Sequence, residues 1–455
     1  MSTDAERKSS WLAYVWIALA VGALGVISEV AGDRILDRLG DIADAPSAPV
    51  LAAISLFALC SFASFYAARG TPLPSFVIAI ALGIAGHKLF APIVGNTMAL
   101  VSLVTASAAI ILFSGGLEMA LRDFIRLFVK IALLALPGVL LTGLAFSMVL
   151  QALSSALGVP VAMPVLILLG AILASTDPAA IIPLLKDLEF TPRATKDIVV
   201  AESALNDVAG ALLTTVFLKL ALVGMTVAAA YQALAEPQTY RFLAEQAGFG
   251  ALCGLGGWLL LWLLSRFKQA HQDHYGADQV YFLAAPVVTY TAATVLGGSG
   301  FLAAFVAGLL FHTKEHMRSI EHFFYQVIDG VAKPVIFLLV GALADIHSLI
   351  AYAPIGIAAG LIFMFVIRPL MVFLVLGLYA LFPNAPRGLS VRQLLFISFV
   401  RETGAIPAVL LITAVARMSG GADGLVEIGM WVILLTLVIA PPFTPYVARR
   451  LGVAE

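Results

Sequence analysis

Residues 202–207 read Glu-Ser-Ala-Leu-Asn-Asp inside an otherwise apolar stretch. Ionisable groups at membrane depth are costly, so each one marks a functional site by default. Helical spacing sorts these six residues. Ser203 and Asp207 stand four apart and share a face, while Glu202 and Asn206 share the neighbouring one. One helix therefore offers a carboxylate and a hydroxyl on one line, and a second carboxylate and an amide on the next. Hard oxygen donors of this kind suit a small alkali cation. Desolvation also raises the pKa of a buried carboxyl group, so that it can take up a proton near neutrality. An aspartate that binds either H+ or a monovalent cation, never both, suffices for an exchanger once access alternates. The other ionisable groups set in apolar sequence are Glu118, Asp177, Arg368, Arg401 and Glu402.

The elements that must hold these groups are membrane helices. Hydrophobic residues make up 61% of the 455 and charged residues 12%, against about 45–50% and about 25% in soluble domains. Basic and acidic residues balance, 26 to 27, which does not suggest a nucleic-acid partner. Cys60 and Cys253 both lie in apolar stretches, so neither a disulfide framework nor a zinc knuckle is expected. No GxxxxGK[ST] phosphate loop is present, which argues against transport driven directly by ATP. Stretches of about 20 apolar residues can cross the hydrocarbon core. Fourteen candidates follow, at roughly 11–30, 49–67, 72–93, 97–119, 127–152, 163–184, 197–222, 243–265, 280–296, 299–313, 330–347, 350–381, 391–417 and 424–447. With the N-terminus in the cytoplasm, fifteen of the 26 basic residues fall inside, four outside, and seven within or at the edges of spans. That bias agrees with the positive-inside rule and puts both termini in the cytoplasm. Arg7-Lys8 before the first run also resembles a signal peptide; the run is long for one, so it is expected to be retained.

Residues 1–48 hold the cytoplasmic N-terminus with an extra N-terminal span, and 223–279 form a connector around span 243–265. Two sets of six spans remain, 49–222 and 280–447, followed by a short cytoplasmic tail, 448–455. The two sets run in opposite directions, the inverted-repeat plan of secondary transporters. Their fifth spans read ILASTDPAAIIPLL, with Pro178 and Pro183, and FVRETGAIPAVLL, with Gly404 and Pro407. Unwound backbone is tolerated at membrane depth only where it lines a cavity or is buried in protein. Two matched breaks therefore point to one shared midplane site. Asp177 is counted with Asp207, Ser203, Thr176 and Asn206 among the cation- and proton-binding residues; its expected part is to balance half-helix dipole ends, with direct ligation of the ion the alternative. Arg401 and Glu402 are adjacent and point about 100° apart on a helix, so one of them compensates the dipole ends of the crossover. Arg368, mid-span, needs a carboxylate partner; Glu202 fits best, with Glu402 the alternative. His312 and His316 are read as an exposed polar face. Gly250 and Gly254 form a GxxxG that suits a packing or dimer surface.

Thr176-Asp177-Pro178 on one broken helix, followed by Glu202-Ser203-x-x-Asn206-Asp207 on the next span, resembles the monovalent cation:proton antiporter family 1. This is the group of bacterial, archaeal and animal sodium/proton exchangers, and the resemblance extends over roughly 49–447. It implies an all-α polytopic fold with a thirteen-span core of two inverted six-helix repeats and two crossed broken helices, usually dimeric, working by an elevator-like motion. Residue by residue, it implies that Asp207 carries the cation and the proton. Ser203 and Thr176 are then further ligands, so that Na+ sits at Asp207, Ser203 and Thr176. Asn206 ties the broken helices to the sixth span, and the Asn-Asp pair marks electroneutral exchange. Glu202 forms a buried structural ion pair, with Arg368 as first choice. The chain departs from the family pattern at Leu112-Phe113-Ser114, where many members carry an acidic residue and Glu118 follows one turn later. It departs again at Glu402-Thr403-Gly404-Ala405, where members often read LRGA and Arg401 comes two positions early.

The expectation is an electroneutral antiporter exchanging Na+, or Li+, for H+, with no cofactor. A K+/H+ antiporter is the alternative within the class and a cation channel the alternative outside it. No HExxH or Ser/His pair at membrane depth supports an enzyme. The partners are the two ions, the bilayer of the plasma (inner) membrane and a second copy of the chain.

Overall fold

The computed structural model describes residues 4–43, 48–69, 71, 74–176, 185, 188–191, 194–220, 222–270, 278–311, 323–324, 326–380, 389–418 and 420–454. Among them the regular secondary structure is helical, apart from an isolated bridge between Phe190 and Ala454. Each of the fourteen apolar stretches contains helix. Among the described residues, eight helices are long and apolar enough to cross a membrane. A bent pair, Ser75–Ala85 and His87–Val94, adds a ninth, and shorter apolar helices run over Met163–Leu173, Phe282–Val295, Gly300–Leu310 and Ala405–Arg417. By contacts the chain divides into two units, Met1–Ser107 with Glu321–Ala351, and Ala108–Ile320 with Tyr352–Glu455.

The first unit contains α1 (Asp4–Ala43), α2 (Ala48–Arg69), α3 (Ser75–Ala85), α4 (His87–Val94), the first half of α5 (Thr97–Leu117), α14 (Lys333–Leu343) and α15 (Ile346–Ala351). The stretch 72–93 is not the straight span its composition suggests. It bends by 91° at Gly86, where φ −94° and ψ 12° leave helical geometry. The ring of Phe90 lies 2.6 Å from where a Cβ on Gly86 would sit, so a side chain is excluded there. The extra span packs on this bend, with Gly25 against Ala85 and Gly32 against Lys88. It is also longer than the expected 11–30, its apolar part reaching Leu39. Glu29 within it pairs with Lys88 Nζ at 2.7 Å.

The second unit holds α6 (Leu121–Leu133), α7 (Val139–Leu157), α8 (Met163–Leu173), α9 (Ala194–Lys219), α10 (Val227–Gln232), α11 (Pro237–Ala270), α12 (Asp278–Val295) and α13 (Gly300–Leu310). It continues with α16 (Ala353–Ile362), α17 (Arg368–Ala380), α18 (Val391–Phe399), α19 (Ala405–Arg417) and α20 (Leu425–Arg450). A five-residue π segment joins α6 to α7 at Leu134–Gly138, and another joins α16 to α17 at Phe363–Ile367. These are the fourth spans of the two repeats. Each segment has a proline within it or two residues beyond it, Pro137 and Pro369; a proline cannot donate the i→i−4 bond, which frees a carbonyl and loosens the turn.

Two glycine crossings carry the repeat into packing. In the first unit, Gly83 of α3 presses on the Leu338 carbonyl and Gly341 of α14 on the Ile80 carbonyl. In the second, Gly116 of α5 presses on the Phe305 carbonyl and Gly308 of α13 on the Phe113 carbonyl. Gly308 follows Gly83, and Gly341 follows Gly116, by the same number of positions. Second span thus meets third span of the opposite repeat twice, at glycines that let backbones touch. Gly250 and Gly254 are used within the chain, against Ser299, Leu302, Ala303 and Val306 of the α13 region. At the C-terminus, Thr191 N–H donates to Val453 O at 3.0 Å, and Val453 and Ala454 are buried, so the tail docks beside residues 188–191.

Candidate functional site

The helix α9 delivers the motif. Glu202, Ser203, Asn206 and Asp207 all lie within it, at 2% exposure or less, with Asp207 and Asn206 at 0%. Four polar residues this deep require partners supplied by tertiary structure, because burying an unpaired polar group costs a few kcal/mol. The end of α8 provides them. After Leu173 the chain leaves the helix, and Thr176, itself 1% exposed, meets α9 with both its backbone and its side chain. Thr176 N–H donates to Asn206 Oδ1 at 3.0 Å, and Asn206 Nδ2 donates to Thr176 Oγ1 at 2.7 Å. The Thr176 and Ser203 hydroxyls lie 3.0 Å apart. Thr176, past the end of α8, and Ser203 and Asn206 of α9 thus form one hydrogen-bonded set beside Asp207.

Asn206 Nδ2 also donates to Glu202 Oε1 at 3.0 Å. Glu202 then receives Arg368 in a bidentate fork, Nη1 to Oε1 at 2.9 Å and Nη2 to Oε2 at 2.8 Å. Of the two carboxylates open to Arg368 from sequence, the structure brings up Glu202. Fork geometry of this kind is among the stronger charge-assisted pairs.

The second break lies between α18 and α19, over Val400–Gly404. Arg401, Glu402 and Thr403 are all at 1% exposure or less. Arg401 Nη2 donates to Leu173 O, the last residue of α8, at 3.2 Å, and its guanidinium stacks 3.5 Å from the ring centroid of Phe363. A cation at a helix C-terminus meets the negative end of the dipole, and an aromatic face adds further attraction. Thr403 N–H donates to Thr436 Oγ1 at 3.1 Å. Sequence reasoning passed over Phe363 and Thr436. The signal for Thr436 was a hydroxyl midway along the apolar sixth span, where Thr444 is another; nothing marked Phe363 among the chain's 28 phenylalanines.

Asp177, Pro178 and Pro183 fall outside the described residues, as do His271, His274, His312, His316 and His322. Glu118 is exposed, one turn beyond the buried Ser114. No group of three or more His, Cys, Asp or Glu able to hold a metal occurs among the described residues. Chemically the arrangement sets a buried carboxylate beside two hydroxyls and an amide, oxygen donors of the kind that suit a small cation or a proton.

The sequence matches the family described as "Sodium/hydrogen exchanger, transmembrane" over residues 52–450. It is 30% identical over 279 residues to a protein of Shewanella oneidensis named "K(+)/H(+) antiporter NhaP2", covering 60% of this chain and 45% of that one. It is 29% identical over 367 residues to "K(+)/H(+) antiporter NhaP" of Alkalimonas amylolytica, 78% of this chain and 58% of that one. To the "Probable Na(+)/H(+) antiporter 2" of Methanocaldococcus jannaschii it is 25% identical over 318 residues, 66% and 69%. The chain thus spans about half the length of the Shewanella and Alkalimonas proteins. Its fold is similar to the solved structure of the sodium proton antiporter MjNhaP1 from M. jannaschii at pH 8, with TM-score 0.62 over 95% of this chain and 99% of that one, at 19% identity.

Proposed function

This chain belongs to the sodium/hydrogen exchanger family, a family of membrane transporters, and on that premise we propose that it exchanges Na+ for H+, one for one, at Asp207. The observation that carries the reading is the fully buried Asp207 on the same face of α9 as Ser203, whose hydroxyl lies 3.0 Å from that of Thr176 at the broken end of α8. Asp207 supplies the charge, and Ser203 and Thr176 supply neutral oxygens. A proton on Asp207 removes the charge that attracts the cation, so the two compete. Alternating exposure of the site to the two sides then moves one ion each way.

The exchange is electroneutral because Asp207 is the titrating carboxylate of α9. Asn206 before it is engaged as an amide, accepting once and donating twice, and Glu202 is committed to Arg368. The protein works as a homodimer in the plasma (inner) membrane, with both termini in the cytoplasm. A second reading, K+/H+ exchange, is favoured by the names of the Shewanella and Alkalimonas relatives.

The test is ion-driven proton flux in proteoliposomes with Na+, Li+ and K+ compared. Wild type is expected to respond to Na+ and Li+, and Asp207→Asn, which keeps the shape but removes charge and proton binding, to none. A response to K+ alone selects the second reading. Exchange at wild-type rate by Asp207→Asn overturns the site.

A further inference from the structure

In each repeat the fifth span is broken, and in each a threonine amide in the break is caught by a side-chain oxygen of the sixth span. Thr176 N–H meets Asn206 Oδ1 of α9 at 3.0 Å; Thr403 N–H meets Thr436 Oγ1 of α20 at 3.1 Å. All four residues are at 1% exposure or less. We infer that Thr436 is a positioning residue of the exchange site, the second repeat's counterpart of Asn206. The inference rests on the antiport reading and adds a residue that touches neither ion.

The hydroxyl of Thr436 has one proton, and that proton is spent within its own helix, on Ile433 O at 2.9 Å. Its lone pairs are left to accept, which matches the need of a break: a buried N–H that has lost its helical acceptor. Holding Thr403 sets the path of Arg401, two residues earlier. Arg401 spans to the first break through Leu173 O at 3.2 Å and rests on Phe363. Leu173 is three residues before Thr176, which bonds both Asn206 and Ser203 beside Asp207. The contacts form one line from α20 to the ion ligands: Thr436, Thr403, Arg401, Leu173, Thr176, Ser203. Loosening its far end shifts the placement of ligands rather than removing one.

The experiment compares Thr436→Val, which keeps the shape and loses the acceptor, with Thr436→Ser, which keeps the acceptor. Thr436→Val is expected to raise the apparent KM for the transported cation severalfold, below the roughly tenfold or more that follows loss of a direct partner of an ion ligand, with kcat nearly unchanged. Thr436→Ser is expected to stay near wild type. A Val variant that melts earlier yet keeps the wild-type KM overturns the inference, because the bond is then only structural. So does a Ser variant as weak as Val. Cation-dependent melting of the detergent-solubilised protein, titrated with Na+ and K+, separates the two readings. If wild type transports nothing but is stabilised by a cation, the antiport reading fails, and a rightward shift of that titration in Thr436→Val still supports the inference. Absence of any cation effect on wild type, in transport as well as in melting, overturns both.

Discussion

Glu202 and Arg368, 166 positions apart, meet fork to fork at 2.8 and 2.9 Å, with Asn206 adding a third donor to the same carboxylate. Arg368 is the first residue after the π segment Phe363–Ile367, which therefore sets the direction in which its side chain leaves the helix. A pair this deep contributes modestly when whole and costs heavily when half is removed, because one charge is left buried alone.

Neutralising either partner, Glu202→Gln or Arg368→Met, is therefore expected to destabilise the fold by about 3–5 kcal/mol, seen as low yield of folded protein and early melting. The double variant is expected to recover a good part of the loss, since no lone charge remains. A double variant as unstable as the two single losses added together would show that the two side chains do not act as a pair.

The glycine crossing of the second unit gives a packing test. A methyl group at Gly308 would overlap the Phe113 carbonyl, and one at Gly116 the Phe305 carbonyl. Alanine at either position is expected to force α5 and α13 apart and to cost about 1–3 kcal/mol by overpacking. Gly22→Ala is the control: nothing lies within 4 Å of the added atom, and melting should stay unchanged or rise slightly. Equal melting of all three variants would remove the crossing from the list of stabilising contacts.

The proposed one-for-one exchange, if electroneutral, fixes how transport responds to voltage. The membrane potential is worth about 2.3 kcal/mol per charge per 100 mV, but it acts only on net charge moved. With the potential of proteoliposomes clamped by an unrelated permeant ion, net exchange should cease at equal cation and proton gradients at every voltage. A reversal point that moves with voltage would reveal a second titrating group, and Glu402, buried beside Arg401, would be the first to replace.

The sequence by itself determined the class and the local pattern. Too few charges for the apolar mass require membrane helices, and α-helical spacing alone puts Ser203 and Asp207 on one face. The two matched breaks are also written locally, because proline and glycine act on their own turn of backbone. What tertiary structure decided is every question of partner. Arg368 had to find a carboxylate, and only the approach of α17 to α9 selected Glu202 over Glu402. The ring of Phe90 closing over Gly86 and Lys88 reaching Glu29 are contacts between different turns and helices; neither is visible in hydropathy, which averages over neighbours in sequence. Phe363 became the platform for Arg401, and Thr436 the acceptor for Thr403, because the break at Val400–Gly404 faces them. A broken helix exposes donors and acceptors whose existence is local, while the groups that satisfy them come from helices far along the chain.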